Sequence, residues 1–127
     1  MPTWQEIGRN NFQAAVSLYD DGYYRSSTSR FYYAVFSVTT GELIRRNAAG
    51  DFTGGRETPG HAQLPRLMEL YFTHLGVERL ENLLRYVNDL YRDRITADYS
   101  EQRVDRQSTI KTFRAAEKVF RYLEANL

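Results

Sequence analysis

Apolar residues along this chain recur at steps of three and four, the period of a helix with one buried face, and never settle into the strict alternation of a half-buried strand. The clearest stripe is the last: Phe113, Ala116, Phe120, Leu123 and Leu127 predict a helix from about Glu101 to the end of the chain. A second wide stripe, Leu80, Leu83, Leu84, Val87, Leu90 and Tyr91, predicts a helix from about Val77 to Asp98. At the N-terminus, Trp4, Ile7, Ala15 and Leu18 place one face of a helix inward between about Thr3 and Asp20. Thr3 followed three residues later by Glu6 has the form of a capping box, and Gly22 supplies a left-handed stop after Asp20-Asp21. The next helix is expected from about Tyr23 to Asn47, with Tyr24, Phe31, Ala34, Val35 and Val38 on one side and Phe36 and Leu43 close by. Gly41 lies inside it, at a cost of about 1 kcal/mol relative to alanine, which a close helix crossing would explain.

Chain breakers agree with this reading. The prolines stand at positions 2, 59 and 65 only, so two long stretches run without interruption. Between them, Gly50, Gly54, Gly55 and Gly60 mark the segment from Asn47 to Gly60 as a flexible connector. A shorter helix follows, starting either near Thr58-Pro59 or near Pro65 and ending near Gly76; Pro65 is compatible only with a first turn or a kink. Helices joined by short connections pack as antiparallel neighbours. The expectation is therefore an all-α protein, an up-and-down bundle of four to five helices forming one domain over residues 1–127.

Composition narrows the possible chemistry. With 127 residues, 42% hydrophobic and 26% charged, the chain can bury a real core. It has no cysteine, which excludes a thiol nucleophile, a cysteine zinc site and a disulfide scaffold. The two histidines, His61 and His74, stand in no metal-ligand spacing, so no metal site and no cofactor is expected. The N-terminus lacks the pattern of a signal peptide and no run is long and apolar enough to span a membrane, so the cytoplasm is the expected location.

Net charge is only +1, so bulk charge does not call for a polyanionic partner. The kind of cation says more. Of 17 basic residues only Lys111 and Lys118 are lysine, and the rest are arginine, which suits bidentate phosphate contacts and stacking on bases. Several arginines adjoin aromatic residues, as in Tyr23-Tyr24-Arg25, Arg30-Phe31-Tyr32-Tyr33, Tyr91-Arg92 and Arg121-Tyr122. Such interleaving fits a stacking surface for single-stranded RNA, and equally a small bundle with a tyrosine-rich rim. The glycine-rich segment Gly50–Arg56 is not a phosphate loop, because it lacks Gly-Lys-Ser/Thr and a preceding strand.

The most specific segment is Asp93-Arg94-Ile95-Thr96-Ala97-Asp98-Tyr99. Arg94 continues the inward stripe of Leu83, Val87 and Leu90, and so needs a partner. Asp98, one turn on, supplies it. That pair is complete as a structural ion pair; it also serves to hold an arginine toward a phosphate at a helix end, with Tyr99 beside it. Tyr33 falls on the flank of its helix, where its hydroxyl would anchor a neighbour.

Taken together, Asp20-Asp21-Gly22-Tyr23-Tyr24, Arg30-Phe31-Tyr32-Tyr33-Ala34-Val35-Phe36, the loop to His61 and Arg94-Ile95-Thr96-Ala97-Asp98-Tyr99 resemble the HEPN family over about residues 8–124. The resemblance is to the small single-domain prokaryotic branch. It implies a bundle of four or five helices and a homodimer whose cleft joins both copies of the Arg94 segment. Many HEPN proteins are metal-independent endoribonucleases, some are toxins paired with a minimal nucleotidyltransferase antitoxin, and others bind nucleotides or RNA without cleaving. By this resemblance Arg94, Asp98 and Tyr99 are the catalytic candidates, supported by His61, Arg30 and Tyr33. The nuclease members place a histidine four to six residues after the arginine. Here no histidine follows Arg94, and Tyr99 stands at that spacing. A tyrosine, with an ordinary pKa near 10, is ionised to only about one part in a thousand at pH 7, so it can position or donate a proton but is a poor base. Arg56 and His61 share the spacing but lie in the loop, away from the motif position. The toxin branch carries a tyrosine, modified by its partner, two residues after the motif histidine; Glu101 takes that place here, with Tyr99 close by. The resemblance therefore implies a toxin-like protein acting on RNA, and as the alternative a non-catalytic nucleotide- or RNA-binding adaptor for a nucleotidyltransferase.

Overall fold

In the computed structural model, which describes residues 1–125, five α-helices follow one another: α1 (Trp4–Asp20), α2 (Tyr24–Arg45), α3 (Leu64–Tyr71), α4 (Val77–Tyr99) and α5 (Arg106–Tyr122). Short 3₁₀ turns occupy Ala49–Asp51, Thr53–Gly55 and Thr73–Leu75. The direction of each long helix follows from which ends meet. Tyr19 near the end of α1 accepts a hydrogen bond from Arg106 at the start of α5. Arg25 at the start of α2 reaches carbonyls at the end of α4, and Thr28 lies 3.4 Å from Thr109 of α5. The end of α1, the start of α2, the end of α4 and the start of α5 therefore share one end of the molecule. The four long helices run up, down, up and down, with α3 placed in the crossover from α2 to α4.

At the centre stands α2, buried on nearly all sides along its second half from Phe31 to Leu43. This accounts for its weak one-sided pattern: it packs against α1, α4 and α5, so little of its surface is left for polar residues. Two glycines set the approach of α1. A Cβ on Gly8 would collide with Val38 Cγ1 and stand 3.0 Å from the Ala34 carbonyl oxygen. One on Gly41 would stand 2.9 Å from Trp4 Cβ, so the crossing expected there is real. Phe12, which the sequence reading left out, is the aromatic hub of α1, with its ring 5.4 Å from Phe31, 5.6 Å from Phe113 and 5.2 Å from Phe120.

Both halves of the capping box at Thr3 and Glu6 are formed, and Gly22 has the expected positive φ of 83°. Trp4, Ile7 and Leu18 are only half-buried, whereas Ala15 is fully enclosed. The two open starts for α3 resolve to Leu64, with Pro65 in the first turn. α5 does not begin at Glu101: residues 100–105 connect the helices, and Asp105 caps α5 by accepting from the Ser108 amide at 2.9 Å. Its stripe is otherwise as expected, although Leu127 lies outside the described residues. The stretch from Asn47 to Gly60, expected to be a flexible connector, buries Phe52 in the core, and Gln63 ties it down by accepting from the Thr53 amide.

Candidate functional site

Arg25, Ser29 and Tyr33 are spaced by four on α2 and line the face turned toward the last turns of α4. Each makes a polar contact there. Arg25 donates through Nη1 to the carbonyl oxygens of Ala97 at 3.0 Å and Ser100 at 2.7 Å, and through Nη2 to Gln102. A helix C-terminus leaves its last carbonyls without intrahelical partners and carries partial negative charge. A guanidinium supplies both donors and positive charge, and so fixes the end of α4 in place.

Arg94 stands just inside that anchored end, with a side chain only 13% exposed. Its Nη2 donates to the Tyr33 hydroxyl at 2.8 Å, and its Nε lies 3.0 Å from Asp98 Oδ2. The second contact is an ion pair rather than an aligned hydrogen bond, because the buried Nε–H points away from hydrogen-bond geometry. Asp98 also accepts from Ser29 Oγ at 3.2 Å. The guanidinium carbon sits 5.3 Å from the Tyr33 ring centre and 5.5 Å from that of Tyr99. Burial opposes the Arg94 charge, but Tyr33, Asp98 and Tyr99 together outweigh it and hold its pKa above the ordinary arginine value. Tyr99 is 74% exposed, so the site opens to solvent on its side.

His61 reaches the same neighbourhood from the connector. Its ring is 4.8 Å from Phe36, 5.7 Å from Tyr91 and 6.4 Å from Tyr33, and its Nδ1 lies 2.6 Å from the Tyr32 hydroxyl. Burial, and then the Arg94 charge, hold its pKa below the usual imidazole value, so it is neutral at pH 7. Tyr32 is 1% exposed, and burial raises its pKa far above that of free tyrosine. A buried hydroxyl hydrogen without an acceptor is costly, and His61 Nδ1 is the acceptor within reach. Tyr32 therefore donates, Nδ1 accepts, and the ring proton resides on Nε2. In that tautomer the one lone pair able to take a proton is already engaged.

Of the residues singled out from the sequence, Arg94, Asp98, Tyr99 and Tyr33 converge, and His61 adjoins them through Tyr32 and Tyr33. Arg30 does not join them: it is exposed and donates to Asn11 Oδ1 of α1 at 3.0 Å. The sequence reading missed Arg25, Ser29 and Tyr32 as partners of this cluster. The four-residue spacing of Arg25, Ser29 and Tyr33 was the available signal, but it becomes meaningful only once α4 is known to cross that face. Among the described residues no three histidine or acidic side chains converge as a metal site, and no helix is long and apolar enough to cross a membrane.

Comparison with known proteins matches residues 1–126 of the sequence to the HEPN domain, and the chain belongs to that family. It is also similar to the protein named "Putative toxin MJ0605" of Methanocaldococcus jannaschii, at 27% identity over 95 residues, or 75% of this chain. The match covers 58% of that relative's length.

Proposed function

We propose that this chain is a toxin-like HEPN protein that acts on RNA, with Arg94 as the group that binds the phosphodiester. The observation that carries the reading is the setting of Arg94: a guanidinium kept almost out of water, charged at any working pH, and held from α2 by Tyr33 and from its own helix by Asp98. A preorganised cation of this kind stabilises charge on a phosphate without having to reorganise during the reaction. Asp98 and Tyr33 orient it. Tyr99, exposed beside it, contacts or protonates the phosphate. The name of the M. jannaschii relative supports the toxin reading and, with it, an antitoxin partner; the family resemblance makes a minimal nucleotidyltransferase the expected one. A homodimer that joins two Arg94 sites fits the exposed aromatic residues, Tyr99 and Tyr23, that flank the same end of the bundle.

A second reading, an RNA- or nucleotide-binding module without cleavage, is favoured by one observation. The nearby imidazole has its lone pair engaged by Tyr32, which leaves no evident base for the 2′-hydroxyl.

RNA cleavage by the purified protein in EDTA, with Arg94→Ala beside it, separates the two. Cleavage by the wild type alone establishes the nuclease. Salt-dependent RNA binding that Arg94→Ala weakens, without cleavage, establishes the binding module. If Arg94→Ala changes neither binding nor cleavage in a folded protein, the Arg94 reading is wrong.

A further inference from the structure

Of the interleaved arginine and tyrosine segments, Arg121-Tyr122 lies away from the Arg94 site, on the outer flank of α4 and α5. There the two helices enclose an open cleft of about 230 Å³ lined by Arg79, Tyr86, Lys118, Arg121 and Tyr122. The Tyr86 and Tyr122 rings are close to parallel, at 25° with centres 6.1 Å apart. The Arg79 guanidinium lies 5.2 Å over Tyr122; over Tyr86 lie the Lys118 ammonium at 5.1 Å and the Arg85 guanidinium at 5.3 Å. None of these four cations forms an ion pair with a described residue, although Arg45, Arg46, Arg66, Arg92, Arg94 and Arg103 all do. The cleft shares Arg79 and Tyr122 with a second one of about 270 Å³, where Glu42 and Glu124 offset Arg45 and Arg46, so the unpaired cations gather at the first.

Gathered cations repel one another, and three of these four, Arg79, Arg85 and Lys118, rest on ring faces rather than in ion pairs. A lid over the core would be served as well by cations paired with acids. What the arrangement suits is a ligand that brings negative charges and flat rings together: phosphates draw the cations off the half-buried tyrosines, and bases take over the ring faces the cations leave. An acidic peptide would use the cations but not the rings, and a duplex hides its base faces.

We propose that the α4–α5 flank binds single-stranded nucleic acid, with phosphates on Arg79, Lys118 and Arg121 and bases stacked on Tyr86 and Tyr122. Tyr86 precedes Arg94 by roughly 12 Å along α4, so this is a separate surface. It is independent of the Arg94 reading and holds whether or not RNA is cleaved.

The test is fluorescence-anisotropy titration with a short labelled oligoadenylate over a range of salt, using Lys118→Gln/Arg121→Gln and Tyr86→Leu in the wild-type and Arg94→Ala backgrounds. Circular dichroism checks that every variant is folded. Removing two phosphate contacts is expected to lower the log–log salt slope by about 1.4, and removing a stacking face to weaken binding about 10-fold. Both losses are expected to be the same in the two backgrounds, which separates this surface from the Arg94 site. Polyglutamate and inorganic polyphosphate are expected to compete weakly. The proposal is overturned if the glutamine pair leaves the salt slope unchanged, if Tyr86→Leu binds as the wild type does, or if the losses vanish in the Arg94→Ala background. It is equally overturned if polyphosphate or polyglutamate competes as well as the oligonucleotide, because the surface then reads charge alone.

Discussion

The two ends of α4 hold arginines in opposite circumstances. At the C-terminal end, Arg25 is committed to backbone carbonyls and Arg94 to Tyr33 and Asp98. At the N-terminal end, Arg79 rests on the face of Tyr122 and has no carboxylate partner among the described residues. The residue type is the same, and the difference lies in the acceptors that the neighbouring helix offers. α2 presents Ser29 and Tyr33 at the first end, together with carbonyls freed by the end of α4 itself; α5 presents a tyrosine ring and further cations at the other. Arg25, with its donors on carbonyls, fixes geometry; Arg94 is held through Nη2 and Nε, with no partner for Nη1 among the described residues; and Arg79, on a ring, is free to exchange that ring for a better ligand.

The contrast is most sharply tested at Arg94. Arg94→Ala is expected to lower RNA cleavage, or RNA affinity if the protein only binds, by roughly 100-fold, the scale of losing one preorganised donor at a reacting group. Quantitative cleavage and binding assays check it. Next comes Arg25. Arg25→Ala strips the carbonyls at the end of α4 of a charged donor and is expected to cost about 1.5 kcal/mol, after allowing for solvent around its side chain. Arg79→Ala, by contrast, should change stability by less than about 0.5 kcal/mol. Urea unfolding of both variants measures the difference, and equal midpoints would erase the distinction between the two ends. Tyr33→Phe removes the acceptor for Arg94 Nη2 while keeping the ring beneath the guanidinium. It should weaken RNA-directed activity about five-fold, equivalent to one hydrogen bond of about 1 kcal/mol, with far-ultraviolet circular dichroism unchanged.

The smallest effect concerns pH. Burial and Arg94 lower the folded pKa of His61, and burial and Arg46 lower that of His74. Unfolded histidine takes its proton near pH 6.5, while the folded protein resists it until lower pH. The resulting stability is complete above pH 6.5 and is lost as pH falls through the folded values. His61→Gln should flatten this acid-side decline in urea midpoints below about pH 6.5. A His61 ring resonance that titrates at or above the free-imidazole value would contradict the placement of Arg94 and Tyr32 around it.

Much of the geometry around Arg94 in the candidate site was legible in the sequence. The step from Leu83 through Leu90 to Arg94 placed an arginine on a buried stripe, and the spacing to Asp98 supplied its partner, because both rules act within one helix. The rule for Tyr33 was almost as local: a tyrosine on the flank of a helix needs an acceptor or donor, and Arg94 proved to be it. Arg30 fails for the complementary reason. It adjoins Phe31 in sequence, but one step along a helix rotates a side chain by about 100°, which turns Arg30 toward Asn11 of α1. Arg25 could not have been read at all, since the carbonyls it holds lie more than seventy positions away.

What the sequence determined by itself was the local physics: five helices from their periodicity, the Thr3–Glu6 box, the stop at Gly22, and the pairing of Arg94 with Asp98. Each depends on residues within about one turn of one another. Only the tertiary structure decided that α2 would be the central helix and that Phe52 would be buried. It also decided that His61 would give up its lone pair to Tyr32. These outcomes depend on which faces meet across the bundle, and a packing geometry is shared among distant residues rather than written in any one of them.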